Sequence, residues 1–141
     1  MDRFEEILTN LSPIIGSPLQ PDLRGACRLN MRNLLHVQLE FNPTEERILL
    51  ATFIKEIPPG KFRENILKDG LRANWPHPKN GTLCYCSRNN HLSLFTYVSI
   101  IQLTAQHLFE ILTAFTTKAE EWKMAIDTGN TANLIAPVKS P

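Results

Sequence analysis

Residues 47–56 alternate, but both registers of the alternation are apolar. Ile48, Leu50, Thr52 and Ile54 would line one face of a strand, and Leu49, Ala51 and Phe53 the other. A strand of a small antiparallel sheet normally shows polar residues on its wetted face. This one shows almost none, so its second face calls for a cover of its own. The run before it, LLHVQLEF (34–41), alternates strictly. Leu35, Val37, Leu39 and Phe41 oppose His36, Gln38 and Glu40, the pattern of a half-buried strand. ACRLNM (26–31) reads as a short strand and NPTEER (42–47) as a turn of hairpin length. Three such runs joined by short links predict an antiparallel meander.

Helical spacing frames these strands. Phe4, Ile7, Leu8 and Leu11 form one apolar stripe, with Asp2 and Glu5 at capping-box spacing. Pro13 disfavours helix at Ser12 and is expected to end this segment. The Gly- and Pro-rich GSPLQPDLRG (16–25) reads as an irregular connection. Pro58 and Pro59 stop the third strand and suit the opening of a second helix over 60–74. That helix carries Phe62, Ile66, Leu67 and Leu71 on one side, and its Gly70 would allow a close crossing with another helix. TLCYCS (82–87) and HLSLFTYV (91–98) read as a tight hairpin. Ser99 and Gln102 repeat the capping-box spacing and predict a long helix from about 100 to 127. Its stripe is Ile101, Leu108, Ile111, Leu112, Phe115, Ala119, Trp122 and Ile126. Gly129 is the expected stop.

The predicted fold is therefore α+β, a twisted antiparallel sheet with helices in the order α-β-β-β-α-β-β-α. Helices 1 and 3 are expected on one sheet face. One domain spans 1–128, and 129–141 reads as a flexible tail.

Composition narrows the function classes. The chain has 141 residues, 43% hydrophobic and 21% charged, with formal net charge +1. The basic residues are scattered, so no nucleic-acid or membrane field is indicated. No apolar run is long enough to span a bilayer. The start, MDRFEEILTNL, carries acids where a secretory leader carries bases. The cysteines are Cys27, Cys84 and Cys86, an odd set whose close pair is poorly placed to bridge. A reducing compartment is expected.

Several stretches together resemble a known family. Gly25-Ala26-Cys27-Arg28-Leu29 opens the first strand, and ILLATFIKEIPP (48–59) ends the third on an Ile-Pro step. LSLFTYV (92–98) leads into the long last helix, and AEEWKMAI (119–126) is close to an Ala-Glu-x-Trp ending. With the capped N-terminal helix, residues 2–127 resemble the class I chaperones of bacterial type III secretion, the Tir-chaperone (CesT-like) family. Two features depart from it. The chain is neutral to slightly basic where the family is acidic, and Pro13 shortens the first helix.

The resemblance implies a homodimer in the bacterial cytoplasm. It would bind the N-terminal region of secreted effector protein(s) in extended form and keep them secretion-competent. It would help deliver them to the export apparatus, with the export ATPase as a further partner. It would use no cofactor and catalyse nothing. The candidate cargo-facing residues are Phe4, Ile7, Leu8, Leu11, Leu29, Leu50 and Phe53. The candidate dimer contacts are Phe62, Ile66, Leu71, Trp75, Leu83 and Tyr85. Apolar side chains suit both roles, because a wrapped segment needs many small anchors and each buried one contributes ~1.5–3 kcal/mol. An exposed sheet edge could also receive a cargo strand.

Other chemistry is thinly represented. Cys84 and Cys86 with His77 and His91 would make a weak zinc set. Glu45-Glu46 and Glu120-Glu121 read as solvated charges, and His36 as an exposed residue. No catalytic triad, carboxylate pair or phosphate loop stands out. The alternatives are a regulatory, anti-activator type of protein binder on the same fold, or an α+β RNA-binding module built around Phe95 and Tyr97.

Overall fold

A computed structural model describes residues 2–31 and 35–135. The elements run α1 (Arg3–Ile15), β1 (Ala26–Asn30), β2 (His36–Asn42), β3 (Arg47–Glu56), α2 (Lys61–Asn74), β4 (Thr82–Cys86), β5 (His91–Ser99), α3 (Ala105–Thr128) and a 3-10 turn, Thr131–Leu134. The α+β order predicted from the pattern is the order observed. Residue 34, the expected first position of the second strand, lies outside the described residues.

The five strands form one antiparallel sheet in the order β1-β2-β3-β5-β4. Strand β3 is central, and one of its two apolar faces lies beneath the helices. Its Ile48, Leu50, Thr52 and Ile54 are buried beneath helices, with Val37 and Leu39 of β2 and Leu92 and Leu94 of β5. The α1 stripe of Phe4, Ile7, Leu8 and Leu11 packs into the same core, as do Leu108, Leu112, Phe115, Ala119, Trp122 and Ile126 of α3. Phe4 stacks on Phe41 at 5.3 Å between ring centroids. Lys55 and Asp127 form an ion pair between β3 and α3.

Asp2 caps α1, its carboxylate accepting the Glu5 N–H at 2.7 Å. Pro13 does not end the helix. Its ring removes one main-chain N–H donor, a loss outweighed by packing of the α1 stripe into the core, and α1 continues to Ile15. The stop is Gly16, which takes a left-handed φ of 83° and donates its N–H to the Ser12 carbonyl.

The last helix starts later than the Ser99/Gln102 spacing suggests. Ile100 and Leu103 are buried in a turn, and Gln102 takes φ 59°, which no right-handed helix passes through. Thr104 is the actual cap, its hydroxyl accepting the His107 N–H at 3.1 Å. Ile101 therefore lies exposed ahead of the helix. Pro58 and Pro59 likewise precede α2, whose cap is Gly60. Gly70 faces a strand, not a helix: a Cβ there would lie 3.8 Å from Leu83 Cδ1 on β4.

The expected free tail begins docked. Thr131 is buried, and its hydroxyl donates to Asp69 Oδ2 of α2 at 2.7 Å. Leu134 packs partly against the core. Residues 136–141 lie outside the described residues.

Candidate peptide-binding face

Cross-strand register builds the sheet's second face row by row. One row runs Arg28, Gln38, Ala51, Phe95, Thr82 from β1 to β4. The row on one side holds Glu40, Leu49 and Tyr97, and the row on the other holds Phe53, Ser93 and Cys84. Among the described residues no helix covers these positions as α1 and α3 cover the core face. Phe53 remains 56% exposed and Tyr97 49%. Phe53, Leu49, Ala51 and Phe95 line an open cavity of about 460 Å³ that reaches from Arg28 and Gln38 to Cys86 and Arg88.

The face mixes apolar floor and polar rim. Phe95 and Tyr97 meet edge-on at 6.0 Å, and Phe53 lies 5.4 Å from the His91 ring. The Arg47 guanidinium sits 3.8 Å over Tyr97 and pairs with Glu45 at 2.7 Å. Partial burial pushes the Cys84 thiol pKa up, with the neighbouring Cys86 adding to the effect. All three cysteines are free thiols. Among the described residues no group of three His, Cys, Asp or Glu side chains is gathered for a metal, so Cys84, Cys86, His77 and His91 do not converge. His36 is exposed on this face.

The cargo candidates separate sharply. Phe4, Ile7, Leu8, Leu11, Leu29 and Leu50 are all core residues in the folded chain. The reason is geometric. The α1 stripe faces the sheet, and Leu29 and Leu50 share the face beneath it. Phe53 alone of the seven lies on the open face. The dimer candidates divide too. Phe62, Leu71 and Trp75 are exposed along α2, the last two each at 70%. Ile66 and Leu83 are instead buried between α2 and β4, because that is the side α2 turns to the sheet. Tyr85 is half-buried, donating its hydroxyl to Asn90 Oδ1 at 2.6 Å beneath the Arg63 guanidinium.

Leu49, Ala51, Ser93, Phe95 and Tyr97 were not singled out for cargo by sequence reasoning. The signal was there in the alternation Ser93-Phe95-Tyr97, which places these residues beside Leu49-Ala51-Phe53 once β5 pairs with β3.

The β1 edge of the sheet is partly closed. Asp22 receives the Ala26 N–H on Oδ1 at 2.9 Å and donates its own N–H to the Ala26 carbonyl at 2.8 Å. Phe41 N–H bonds Gly25 O across to β2, so by antiparallel parity Ala26, Arg28 and Asn30 turn their main-chain groups outward. With Ala26 occupied, Arg28 and Asn30 present the open part of the edge among the described residues, the Arg28 carbonyl being met by the Cys27 Sγ at 3.9 Å. Beside it, Ile14, Ile15, Met31 and Phe109 line a second groove with three threonines of α3.

The model of the Tir chaperone protein (CesT) family matches residues 6–123. The chain belongs to the Tir chaperone (CesT) family. This is a family of type III secretion chaperones, as the resemblance in the sequence implied. A search of curated proteins finds no match. Solved structures share the fold. A chain of the ExsC–ExsE complex is 18% identical, with a TM-score of 0.73 over 89% of this chain and 97% of that one. A chain of the HopA1–SchA chaperone–effector complex is 17% identical, with a TM-score of 0.69 over 87% and 94%. The Yersinia pestis type III secretion chaperone SycH, solved with a stable fragment of YscM2, gives 17% identity and 0.67 over 84% and 98%. Among the described residues no helix is long and apolar enough to cross a membrane.

Proposed function

We propose that this CesT-family chain binds the N-terminal segment of one or more secreted effectors in extended form and keeps them secretion-competent. The observation that supports it is the apolar sheet face around Phe53, Leu49, Phe95 and Tyr97, open beside an unpaired stretch of the β1 edge. Such a surface on a folded protein marks a partner site, and a sheet edge can add a strand from that partner. The chaperones solved with partners and similar in fold support the same reading. The protein acts in the bacterial cytoplasm, passes its cargo to the export ATPase and catalyses no reaction. It works as a homodimer, with Phe62, Leu71 and Trp75 of α2 meeting their counterparts across a two-fold axis.

A tagged pull-down from the source bacterium, followed by protease treatment and mass spectrometry, tests the proposal. It expects a protein protected only in one stretch near its own N-terminus. Recovery of a fully folded, protease-resistant partner, or of RNA, would overturn it. Sedimentation of the Leu71→Glu and Trp75→Glu variants tests the dimer: the wild type should sediment as two chains and the variants as one.

A further inference from the structure

Large and small side chains alternate as on a checkerboard in the middle of the open face. Ala51 pairs with Phe95, and Phe53 pairs with Ser93. The two small residues fall on one diagonal and the two rings on the other. From Ala51 the row continues straight across the strands through Gln38 to Arg28 on β1. From Ser93 the row reaches Cys84 on β4, and Cys86 lies one step further along that strand, towards Arg88 in the β4–β5 turn. These residues line a single cavity. A trough therefore crosses the strands obliquely, floored by Ala51 and Ser93 and walled by Phe53 and Phe95.

Two independent observations say what fits it. Ser93 is only 7% exposed, and among the described residues its Oγ has no hydrogen-bond partner. Buried hydroxyls normally have one, and a peptide main chain laid along the trough would bring carbonyl and amide groups to it. The second observation is charge. Arg28 and Arg88 stand exposed at the two ends of the trough, and among the described residues neither pairs with a carboxylate. The one carboxylate of the lining, Glu40, already accepts from Gln38 Nε2 at 2.8 Å. Four strand spacings separate β1 from β4, and the diagonal adds a displacement along the strands. The ends therefore lie ~23 Å apart, the reach of about seven extended residues.

We propose that the trough takes one extended peptide segment of about seven residues, apolar in its middle and acidic towards both ends. The inference rests on the open face being the cargo site and adds the charge pattern of the cargo. The end carboxylates meet Arg28 and Arg88, a middle aliphatic side chain settles over Ala51 between the two rings, and the main chain satisfies Ser93.

The test uses the full chain and two fluorescein-labelled peptides, Glu-Thr-Leu-Thr-Leu-Thr-Glu and its twin with Lys at both ends. Anisotropy reads binding, and alkylation of Cys84, followed by mass spectrometry, reads occupancy of the face. The acidic peptide should bind at least about tenfold tighter than its twin, since two exposed ion pairs replace two repulsions. It should slow Cys84 alkylation, and the doubly substituted Arg28→Glu, Arg88→Glu protein should reverse the preference. Both substitutions are at exposed positions, so the fold should be retained. Equal binding of the two peptides would overturn the charge pattern while leaving the cargo reading standing. No binding, with Cys84 shielded only at high protein concentration, would overturn the proposal and assign the trough to a contact between two copies. No binding, with Cys84 open at every concentration, would overturn both readings.

Discussion

Leu50 and Phe53 stand three residues apart on β3 and should respond oppositely to the same substitution. Leu50 is 0% exposed under α1 and α3. Leu50→Glu forfeits ~1.5–3 kcal/mol of apolar burial. It also places a carboxyl where nothing is arranged to receive it, for a further ~2–7 kcal/mol. The sum is comparable to the whole stability of a domain this size, ~5–15 kcal/mol. Phe53 is 56% exposed, so Phe53→Glu gives up less than half of a ring's burial, about 1 kcal/mol. Urea unfolding followed by tryptophan fluorescence separates the two cases, because Trp122 is buried while Trp75 is already exposed. With a slope of ~1–3 kcal/mol per molar urea, the Phe53→Glu midpoint should move by less than about 1 M. Leu50→Glu should abolish the transition or lower its midpoint by more than about 2 M. Burial raises the pKa of the introduced carboxyl, so Leu50→Glu should regain structure as the pH falls and lose it as the pH rises. Captured cargo should disappear with Phe53→Glu although the protein stays folded. Equal urea shifts for the two variants would refute the assignment of faces.

Three further outcomes follow from other parts of the fold. Gly81→Ala should cost about 2–5 kcal/mol, because φ is 128° there and the new Cβ would lie 2.8 Å from Leu94 Cγ in the core; a thermal midpoint equal to wild type would contradict it. Lys118 donates to the carbonyls of Lys79 and Gly81, both at 2.6 Å, which ties the loop before β4 to α3. Lys118→Met keeps the stem and should cost about 1–3 kcal/mol, discounted for partial exposure, with faster amide exchange in that loop as the check. Asp22 has its pKa lowered below 3.8, chiefly by the Ala26 and then the Arg24 N–H bonds it accepts. A depressed carboxylate contributes above its unfolded pKa and ceases to as the pH falls through its folded pKa. Exchange of the Ala26 amide should therefore accelerate on acidification below pH 3.8, relative to the Leu39 amide.

The order of elements was legible because period-two and helical patterns follow one another along the chain with clear turn residues between. The two apolar registers of β3 showed that this strand has a second face in need of a cover. They could not show which register faces the helices, since Leu49-Ala51-Phe53 and Leu50-Thr52-Ile54 are chemically alike. Only the β3–β5 pairing and the placing of α1 and α3 separate Leu50 from Phe53. The α1 stripe was read correctly as a stripe, but its partner, sheet or cargo, is a tertiary fact. Pro13 and Ser99 misled for local reasons. One missing N–H does not stop a helix whose stripe packs into the core, and a capping spacing has no force where Gln102 takes a left-handed φ. The alternation Ser93-Phe95-Tyr97 was legible, but the burial of the Ser93 hydroxyl without a partner among the described residues is a tertiary fact that no local pattern carries.

The insertion of β5 between β3 and β4 has a consequence for the order in which the chain can mature. Strands β1, β2 and β3 are neighbours in sequence and can pair as soon as they are made. The outer edge of β3 must wait for β5, the far strand of the next hairpin, after α2 and β4 have been made. At ~5–20 residues added per second, the roughly forty residues between the end of β3 and the end of β5 take ~2–9 s. During that interval the nascent meander holds an apolar strand with an unpaired edge, the usual template for wrong association. The helix that closes the core, α3, emerges later still. A member of a family of secretion chaperones thus passes through a vulnerable stage of its own during synthesis.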